Sequence, residues 1–446
     1  TTTTYTGSSN QFVVRPFALS IEDSISDTIV QAADADGDDF RKAGEDFAVN
    51  VRAVAWQAGD DSDDDGLSDS GADLTDNAST PNFGSGGTAT VDLSHNLVLP
   101  ATPGGLGTLS GGEDVGGFSN GVAEATLSFD EVGIIDLAAI TEDYLGQAGV
   151  DVTGSLNNIG RFTPYRFGIA ANTPTFANTC TAGATAFTYL DQNFYYDDAP
   201  VLTVTALNAA GDVTMNYGGT GAERFWKLGT SLDRSFTDQT VGAGGTHTLD
   251  TMTDDTVALG GDTDFDGMGS LVLENGEDGD VFLYERIAEE DEFDAEIDIT
   301  FNAVGLTDTD GICYDPDDDG TCDDFTIGGT GGVLQRFGRL VIGNGFGSDL
   351  LPINVQFETQ YFDGAGFVQN TDDSCTLIDD LDMNGVPDIT LISAVETSVT
   401  GTVQVCPGST STMTLANNPL SAGEGGMSFS APGCAGSIDI TLDLPG

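Results

Sequence analysis

Apolar and polar residues alternate along much of the chain, and this period of two predicts β-strands. Clear examples are Phe47–Trp56, Thr88–Leu99, Gly121–Phe129 and Gly133–Ile140. The pattern contains no long amphipathic helix with capping residues, and glycine, which disfavours helices, supplies 60 of the 446 residues. The sequence therefore predicts an all-β protein.

An internal repeat predicts that the strands are organised in modules. The stretch Val49–Val54 followed by Thr80–Gly84 resembles Leu202–Leu207 followed by Thr214–Gly218. In each copy an alternating strand leads through a turn into a Thr-x-Asn-aromatic-Gly segment. The first copy carries a long acidic insertion in its turn, as surface loops of β-sandwiches do. We expect tandem immunoglobulin-like β-sandwich modules with calcium-binding loop insertions.

Half of the arginines lie in three short aromatic segments where one module is expected to meet the next. These residues are Arg15, Arg161, Arg166, Arg336 and Arg339. A guanidinium that bridges carboxylates of two modules would fix their relative angle, although ordinary strand-end arginines explain the pattern equally well. The expected divisions are a flexible tail at 1–10 and β-modules at 11–160, 161–334 and 335–446.

The loop Asp315–Asp323 predicts a metal site, because it places carboxylates at positions 1, 3, 5 and 9 and glycine at position 6. Alternate side chains of a tight loop converge on one point, and oxygen ligands suit Ca²⁺. The spacing occurs in four loops. The predicted ligands are Asp61, Asp63, Asp65, Asp69, Asp262, Asp264, Asp266, Asp315, Asp317, Asp319, Asp323, Asp380, Asp382, Asn384 and Asp388.

These loops differ from the helix-loop-helix version, because none has the bidentate glutamate at position 12. A missing ligand would come from water or from an acid nearby, such as Asp73, Glu274 or Asp324. We therefore expect a dissociation constant of about 10⁻⁴–10⁻³ M, as in extracellular calcium modules. The acidic stretches Asp34–Asp39 and Asp308–Asp310 echo the spacing weakly and are expected to be solvated turns.

The charge of the chain restricts its partners. Lysine and arginine total 12 against 73 aspartates and glutamates, which gives a net charge of -61. Nucleic acid and anionic lipid are disfavoured, because phosphate binding needs basic side chains. The absence of a long apolar span argues against membrane insertion. Self-repulsion on this scale destabilises a compact state unless cations reduce it, and bound calcium would do so.

Cysteine usage indicates an oxidising compartment. The six cysteines include no C-x-x-C pair, and only two histidines are present, so disulfides fit better than zinc. Cys313 and Cys322 bracket the Asp315 loop and are expected to form one bridge. The remaining four cysteines, Cys180, Cys375, Cys406 and Cys434, allow three pairings. We expect a secreted or cell-surface protein whose export signal has been removed.

Two glycine- and aromatic-rich blocks, Arg336–Ile353 and Gln360–Thr376, resemble the large extracellular region of MshQ-type proteins, as do Val13–Phe17, Ile159–Phe167 and Asn120–Leu137. Such proteins are encoded with the mannose-sensitive haemagglutinin type IV pilus of Gram-negative bacteria. The resemblance covers nearly the whole chain and implies a role in a bacterial pilus or fimbria. Members often carry a preceding lectin-like domain; we expect none in this chain and therefore do not carry a carbohydrate-binding role over from the resemblance.

Catalytic motifs are weak, and we expect no enzymatic activity. Gly117–Gly121 matches G-x-S-x-G but precedes a strand rather than a helix, and His95 and His247 lie in unrelated contexts. Two functions remain open: a calcium-stabilised adhesion or structural component of a pilus or cell-surface appendage, and a subunit of an extracellular filament joined by its terminal strands. A secreted glycan-active enzyme is the remote third. Expected partners are appendage proteins, copies of the chain, and host or surface glycans.

Overall fold

The computed structural model describes residues 7, 13–86, 89–229, 232–240, 247–253, 258–378, 389–393, 397–399 and 402–442. Strands dominate these residues, and the helices among them are short 3₁₀ turns of three or four residues. The 3₁₀ turns are Leu74–Asp76, Tyr144–Gly146, Gly221–Glu223, Gly276–Asp278 and Ala303–Leu306. The predicted all-β fold is therefore confirmed.

The first unit consists of two four-stranded sheets on either side of one hydrophobic core. Its strands are β1 (Ala18–Asp23), β2 (Arg41–Lys42), β3 (Asp46–Val54), β4 (Asp92–Leu99), β5 (Leu109–Ser110), β6 (Val122–Phe129), β7 (Gly133–Thr141) and β8 (Val152–Thr163). One sheet has the order β1-β3-β6-β5 and the other β2-β8-β7-β4. Alternate residues of these strands, including Phe47, Leu127 and Phe162, meet between the sheets and exclude water.

The second unit is larger and is built from several short sheets around an aromatic core. Its strands are β9 (Arg166–Ala171), β10 (Thr175–Ala177), β11 (Thr188–Tyr189), β12 (Tyr195–Asp198), β13 (Val201–Leu207), β14 (Arg234–Asp238), β15 (Leu249–Met252), β16 (Ala258–Gly260), β17 (Met268–Val272), β18 (Val281–Tyr284), β19 (Phe293–Asp294), β20 (Ile297–Phe301), β21 (Phe325–Thr330) and β22 (Leu334–Arg336). Its largest sheet has the order β16-β17-β13-β9. Ala32, Ala35, Val132 and Ile134 of the first unit also pack into this core.

The third unit begins where the chain passes Phe337. Its strands are β23 (Gly338–Ile342), β24 (Ile353–Phe362), β25 (Phe367–Gln369), β26 (Ile389–Ser393), β27 (Thr397–Val399), β28 (Thr402–Val403), β29 (Ser411–Ser421), β30 (Glu424–Phe429) and β31 (Ile438–Leu442). A six-stranded sheet of order β23-β24-β30-β29-β28 with β25 beside β24 lies next to the sheet β27-β26-β31. A smaller core, which includes Phe357 and Met427, belongs to this unit alone.

The internal repeat has matching hydrogen bonds in the first and second units. Thr80 N–H donates to the carbonyl of Ala53 (2.8 Å), and Thr214 N–H donates to that of Ala206 (2.9 Å). A Cβ added at either Gly121 or Gly267 would overlap the threonine carbonyl of its own copy, so both positions need glycine. The repeat detected in the sequence is therefore also a repeat of local structure.

Both terminal strands pair within their own units. β1 forms an antiparallel pair with β3, and β31 forms one with β26. Each is the last strand of its sheet, so one edge of its backbone is not paired within that sheet. Pro16 precedes β1, which starts at Ala18, and proline lacks the N–H that a strand ladder uses.

Candidate metal centres

Three of the four predicted loops bring carboxylates together. The ligand atoms of each group lie within 4.8 Å of one another. The groups are Asp61 with Asp63 and Asp65, Asp262 with Asp264 and Asp266, and Asp315 with Asp317 and Asp323. In each, the first aspartate is buried, at 3%, 3% and 6% exposure, while its partners are largely exposed. The fourth predicted loop, with Asp380, Asp382, Asn384 and Asp388, lies outside the described residues.

The three loops share one backbone conformation. Position 4 has a positive φ in each: 57° at Asp64, 59° at Phe265 and 60° at Asp318. Position 6 is a glycine with a φ of 80°, 74° or 82°, again in the left-handed region where glycine is least strained. Because the sequences between the acids differ, the acid–glycine spacing itself dictates this conformation.

The buried first aspartate organises each loop through backbone N–H groups. Asp61 accepts hydrogen bonds from Asp65 (3.0 Å) and Gly66 (3.0 Å). Asp315 accepts the equivalent bonds from Asp319 (3.2 Å) and Gly320 (3.0 Å). A carboxylate held in this way is fixed before any ion arrives, which lowers the ordering cost of metal binding.

Further contacts distinguish the Asp61 loop. The indole N–H of Trp56 donates to Asp61 Oδ2 at 2.9 Å. Partial burial acts to raise the pKa of Asp61, but this bond and the N–H bonds from the loop outweigh it, so the pKa is lowered. Asp69, the predicted position 9 ligand, instead accepts the N–H of Ser62 at 3.0 Å. The carboxylate of Asp61 is therefore ionised and ready to bind a cation over a wide pH range.

The Asp262 loop is the most enclosed of the three. Asp262 accepts N–H bonds from Asp264 (2.9 Å), Phe265 (2.8 Å) and Gly267 (2.9 Å). A depression of about 290 Å³ adjoins the loop, and its lining includes Asp262, Asp264 and Ser270, the residue at position 9. Burial raises the pKa of Asp262 despite the three N–H donors. A bound cation would reverse that effect by stabilising the ionised form.

The Asp315 loop is closed by a disulfide, since Cys313 is bonded to Cys322 as the sequence predicts. Asp317 is exposed, and its pKa is raised chiefly by the negative charge of Asp319. Asp319 itself accepts the N–H of Thr321 at 2.8 Å and lies outside the clustered group. Mutual repulsion of acids is what a divalent ion would relieve at this loop.

Two of the extra ligands considered for the missing position 12 are used elsewhere. Asp73 caps a 3₁₀ turn by accepting the N–H and the hydroxyl of Thr75, at 3.1 and 2.6 Å. Asp324 accepts the N–H of Ala303 at 2.7 Å. Water ligands are therefore the better candidates to complete the coordination shell.

The five arginines expected between modules fall into two groups. Arg161 of the first unit holds Asp310 of the second with two bonds of 2.5 and 2.8 Å. Arg336 holds Glu292 of the second unit at 2.9 Å and Asp372 of the third at 3.0 Å. Both side chains are buried, so both connect units through desolvated charge pairs.

The other three arginines contact their own units. Arg15 donates to the carbonyl of Gly66 in the Asp61 loop at 2.8 Å, and Arg166 donates to that of Asp315 at 3.0 Å. Arg339 donates to the amide oxygen of Gln360. Two of the three therefore brace candidate metal loops, a role that the sequence alone did not indicate.

One of the two stretches expected to be solvated acidic turns, Asp308–Asp310, is a contact site instead. Asp308 is buried and accepts the hydroxyl of Tyr217 at 2.6 Å, and burial raises its pKa. Asp310 pairs with Arg161, and Asp36 pairs with Lys227 of the second unit. That prediction is therefore wrong for Asp308 and Asp310, whose side chains are shielded from solvent. It holds for the stretch that contains Asp36, since this side chain remains 82% exposed beside Lys227.

Glu131 and Asn216 form a buried polar link that sequence reasoning missed. The Glu131 carboxylate accepts the N–H groups of Val132 (2.8 Å), Met215 (2.8 Å) and Asn216 (3.1 Å). Burial raises the pKa of Glu131 to about 7, although the three N–H bonds oppose the shift. The Asn216 amide also bonds Gly105 of the first unit through both its oxygen and its nitrogen. No local sequence signal marks either residue.

The structure resolves the cysteine pairing that the sequence left open. Cys180 is bonded to Cys375, and Cys406 is bonded to Cys434. The first bridge joins the second unit to the third, and the second lies within the third unit. Three disulfides in one chain indicate folding in an oxidising compartment.

The fold and the candidate sites define a class of protein. It is an all-β chain built from several units, and its acidic loops share one backbone conformation. Family models match three consecutive stretches: DUF6701, second domain at 15–128; DUF6701, third domain at 131–329; and DUF6701, fourth domain at 336–445. Together they span nearly the whole chain, which therefore belongs to the DUF6701 family. No curated protein sequence matches the chain significantly.

The family matches and the packing divide the first two units differently. The second-domain match ends at residue 128, whereas the core of the first unit includes Ile135, Val152 and Phe162 from β7 and β8. Within the described residues, no helix has the length and apolar character needed to cross a membrane.

Proposed function

We propose that this chain is an extracellular, calcium-stabilised structural or adhesion protein of a bacterial pilus or cell-surface appendage. The observation that carries the proposal is the recurrence of one loop conformation that gathers three carboxylates around a buried first aspartate. Three such loops in a chain of net charge -61 provide sites where divalent cations reduce self-repulsion. Their regular spacing separates them from scattered surface acids.

Calcium is the cation that best suits these groups. Every clustered ligand is a carboxylate, and each loop has room for backbone oxygens and water, as the six to eight ligands of Ca²⁺ require. Mg²⁺ demands a tighter octahedral shell and retains its water, so it is expected to bind more weakly. Zinc prefers histidine and thiolate ligands, which these loops lack.

The position of two loops supports a role in holding the first and second units together. A Cβ at Gly104 of the first unit would overlap the carbonyl of Phe265 in the Asp262 loop. In the Asp315 loop, Asp318 raises the pKa of Tyr165, whose ring lies 5.2 Å from the ammonium of Lys42. A cation that orders these loops would therefore stiffen the contact between the two units.

The wider proposal is a rod of tandem immunoglobulin-like β-sandwiches. The repeated hydrogen bonds of the first two units and the paired sheets around one core in the first unit support it. We propose that the chain acts through binding and not catalysis, with appendage proteins, copies of itself or surface glycans as partners. Nucleic acid and membrane lipid are unsuitable partners for so acidic a surface.

A filament subunit joined by β-strand addition is the second candidate. The observation that favours it is that β1 and β31 are both edge strands, so each has one edge not paired within its sheet. Because both strands already pair within the chain, such a filament would form by edge addition rather than by removal of a strand. Negative-stain microscopy with and without Ca²⁺ distinguishes isolated rods from fibres.

Calcium dependence of stability is the direct experiment. Titration with CaCl₂ after treatment with a chelator should raise the melting temperature at millimolar concentration, and MgCl₂ should raise it less. Chelation should also increase proteolysis around residues 60–76 and 310–326. Asp61→Asn and Asp315→Asn should each weaken the calcium response, because each replaces a buried charged ligand by a neutral amide that keeps only one of the two oxygens ordering its loop.

Asp197→Asn is the matched control, since Asp197 is an exposed acid on β12 outside the loops. It removes the same charge without removing a ligand. A melting curve that does not respond to calcium, or equal responses in the loop and control variants, would refute the structural role of the metal.

A further inference from the structure

A cleft of about 560 Å³ lies between the second and third units. Its lining includes Thr179, Asp191, Gln192, Arg286, Arg339 and Thr376, together with three leucines. The Cys180–Cys375 disulfide joins its two sides covalently. Its volume falls within the range of about 300–1,000 Å³ that is usual for small-molecule sites.

Two guanidinium groups in this cleft are held in place by neutral partners. Arg286 donates to the carbonyl of Gly338 at 3.0 Å and lies 4.1 Å from the ring centre of Phe337. Arg339 donates twice to the amide oxygen of Gln360, at 2.8 and 2.6 Å, and lies 3.6 Å from the ring centre of Phe367. Stacking on a ring fixes the plane of each guanidinium and leaves some of its edge donors for a ligand.

Neither guanidinium has a carboxylate partner among the described residues. Arg161, Arg234 and Arg336 all form ion pairs, whereas no acid oxygen lies within 4.0 Å of the charged groups of Arg286 or Arg339. Asp191 is the acid in the lining, and its Oδ1 accepts the backbone N–H of Arg286 at 2.8 Å. In a chain with 73 acids and 12 bases, two such arginines in one cleft are unexpected on composition alone.

We propose that this cleft binds a small hydroxylated organic carboxylate, such as a sugar acid. The planar donor edges of Arg286 and Arg339 suit a carboxylate, which arginine binds with charge-assisted hydrogen bonds. The hydroxyls of Thr179 and Thr376 donate to Gln192 and Asp373, so their oxygens can accept from ligand hydroxyls, and the Gln192 amide nitrogen can donate to them. Three leucines supply apolar surface for a ring face. The proposal does not depend on the metal loops.

The net negative charge of the chain does not prevent binding at this position. The screening length is about 8 Å at physiological ionic strength, so a small ligand responds mainly to the charges that surround it closely. Among the lining residues those charges are two guanidiniums and the Asp191 carboxylate. The Asp373 carboxylate behind the lining is buried and accepts hydrogen bonds from Tyr189 (2.9 Å) and Thr376 (2.7 Å). A ligand without a carboxylate loses the interaction with both arginines.

Calorimetric titration of the full calcium-loaded chain with sugar acids tests the proposal. The probes are glucuronate, galacturonate and N-acetylneuraminate, with glucose as the neutral counterpart and acetate and phosphate as simple anions. At least one sugar acid should bind saturably, with glucose, acetate and phosphate each at least about tenfold weaker. Absence of saturable binding by all three acids, or equal binding of a simple anion, overturns the proposal.

Arginine variants place the binding in the cleft. Arg286→Gln and Arg339→Gln should each weaken sugar-acid binding about tenfold, because each removes charge-assisted bonds. Arg224→Gln is the matched control, since Arg224 is exposed and lies outside the cleft. Melting curves check that each variant is folded. Equal binding by all three variants would mean that the acid binds elsewhere, for instance through calcium in a loop, and would refute this site.

Discussion

The contact between the first and second units differs from that between the second and third in the way it is held. At the first contact, Arg161 forms an ion pair with Asp310, and Glu131 accepts hydrogen bonds from N–H groups of both units. No disulfide crosses it among the described residues, and the Asp262 loop lies against Gly104 there. This first contact thus depends on hydrogen bonds, charges and, under our proposal, on calcium.

The contact between the second and third units is held by a covalent bond. Cys180 is bonded to Cys375, and Arg336 lies between acids of both units and over the ring of Tyr361. Tyr189 of the second unit donates to Asp373 at 2.9 Å, and burial together with that carboxylate raises its pKa. The second contact is therefore expected to resist calcium removal and pH change, and to be weakened by reduction.

This difference teaches how units of one strongly negative chain can be joined. When two acidic units pack against each other, like charges come close and repel. Each contact therefore includes at least one buried arginine that pairs with acids of the neighbouring unit. A disulfide makes one contact permanent. The other contact stays sensitive to the ions in the medium.

Breaking the intermodular disulfide should have the largest effect. In the chain-entropy description, a bridge between residues 195 apart stabilises by about 5 kcal/mol, and one between residues 9 apart by about 2.5 kcal/mol. The Cys180→Ser/Cys375→Ser variant should thus lose more stability in urea unfolding than the Cys313→Ser/Cys322→Ser variant. Equal losses would show that the long bridge does not constrain the unfolded chain.

Replacement of Arg161 should destabilise the first contact, by somewhat less than the loss of the Cys180–Cys375 disulfide destabilises the chain. Arg161→Ala leaves Asp310 without its buried partner, which costs about 3–5 kcal/mol in comparable buried pairs. Arg41→Ala is the control, because the Arg41–Asp27 pair is more exposed and such pairs contribute about 0–1 kcal/mol. Chemical unfolding monitored separately for each unit measures the difference. Similar losses of unfolding free energy in both variants would show that Arg161 does not hold the two units together.

Glu131 should make the first contact sensitive to pH. Its pKa is raised from 4.5 to about 7 in the folded chain, so the folded state binds the proton more tightly than the unfolded state. The associated stability is fully present below about pH 4.5 and is lost as pH rises through about 7, by an amount on the order of 3 kcal/mol. Thermal melting of the parent chain and Glu131→Gln across this range measures it.

The Glu131→Gln variant cannot titrate, so the difference between its stability and that of the parent should change over this pH window. A constant difference would contradict a raised pKa. Asp136→Asn serves as a control, since Asp136 is an acid of the neighbouring strand β7 that lies outside the contact between units.

Removal of calcium should have the smallest effect of the four changes. It should act only on the contact between the first and second units. Chelation is expected to increase flexibility between the first and second units, because the Asp262 and Asp315 loops lie there, and to leave the second contact unchanged. Small-angle X-ray scattering with and without Ca²⁺, on the parent chain and on Asp262→Asn, measures this. Equal loosening of both contacts, or of neither, would contradict the proposed role of these loops.

Residues that lie close together in the sequence determined the fold class, the loop conformation and one disulfide of this protein. Strand alternation specified the all-β fold, and acid–glycine spacing specified the shared loop conformation around Asp61, Asp262 and Asp315. The short separation of Cys313 and Cys322 identified their bridge. Each of these features depends on residues within about ten positions of one another, where backbone geometry limits the outcomes.

Tertiary structure alone decided the contacts between distant residues. The partners of Cys180 and Arg161 lie 195 and 149 positions away, and several equally reasonable alternatives existed for each. Glu131, Asn216 and Asp308 resemble ordinary surface residues in the sequence but are buried in the folded chain. Burial, not residue type, raises the pKa of Glu131 and of Asp308 and gives all three residues their structural roles, and burial is a property of the whole fold.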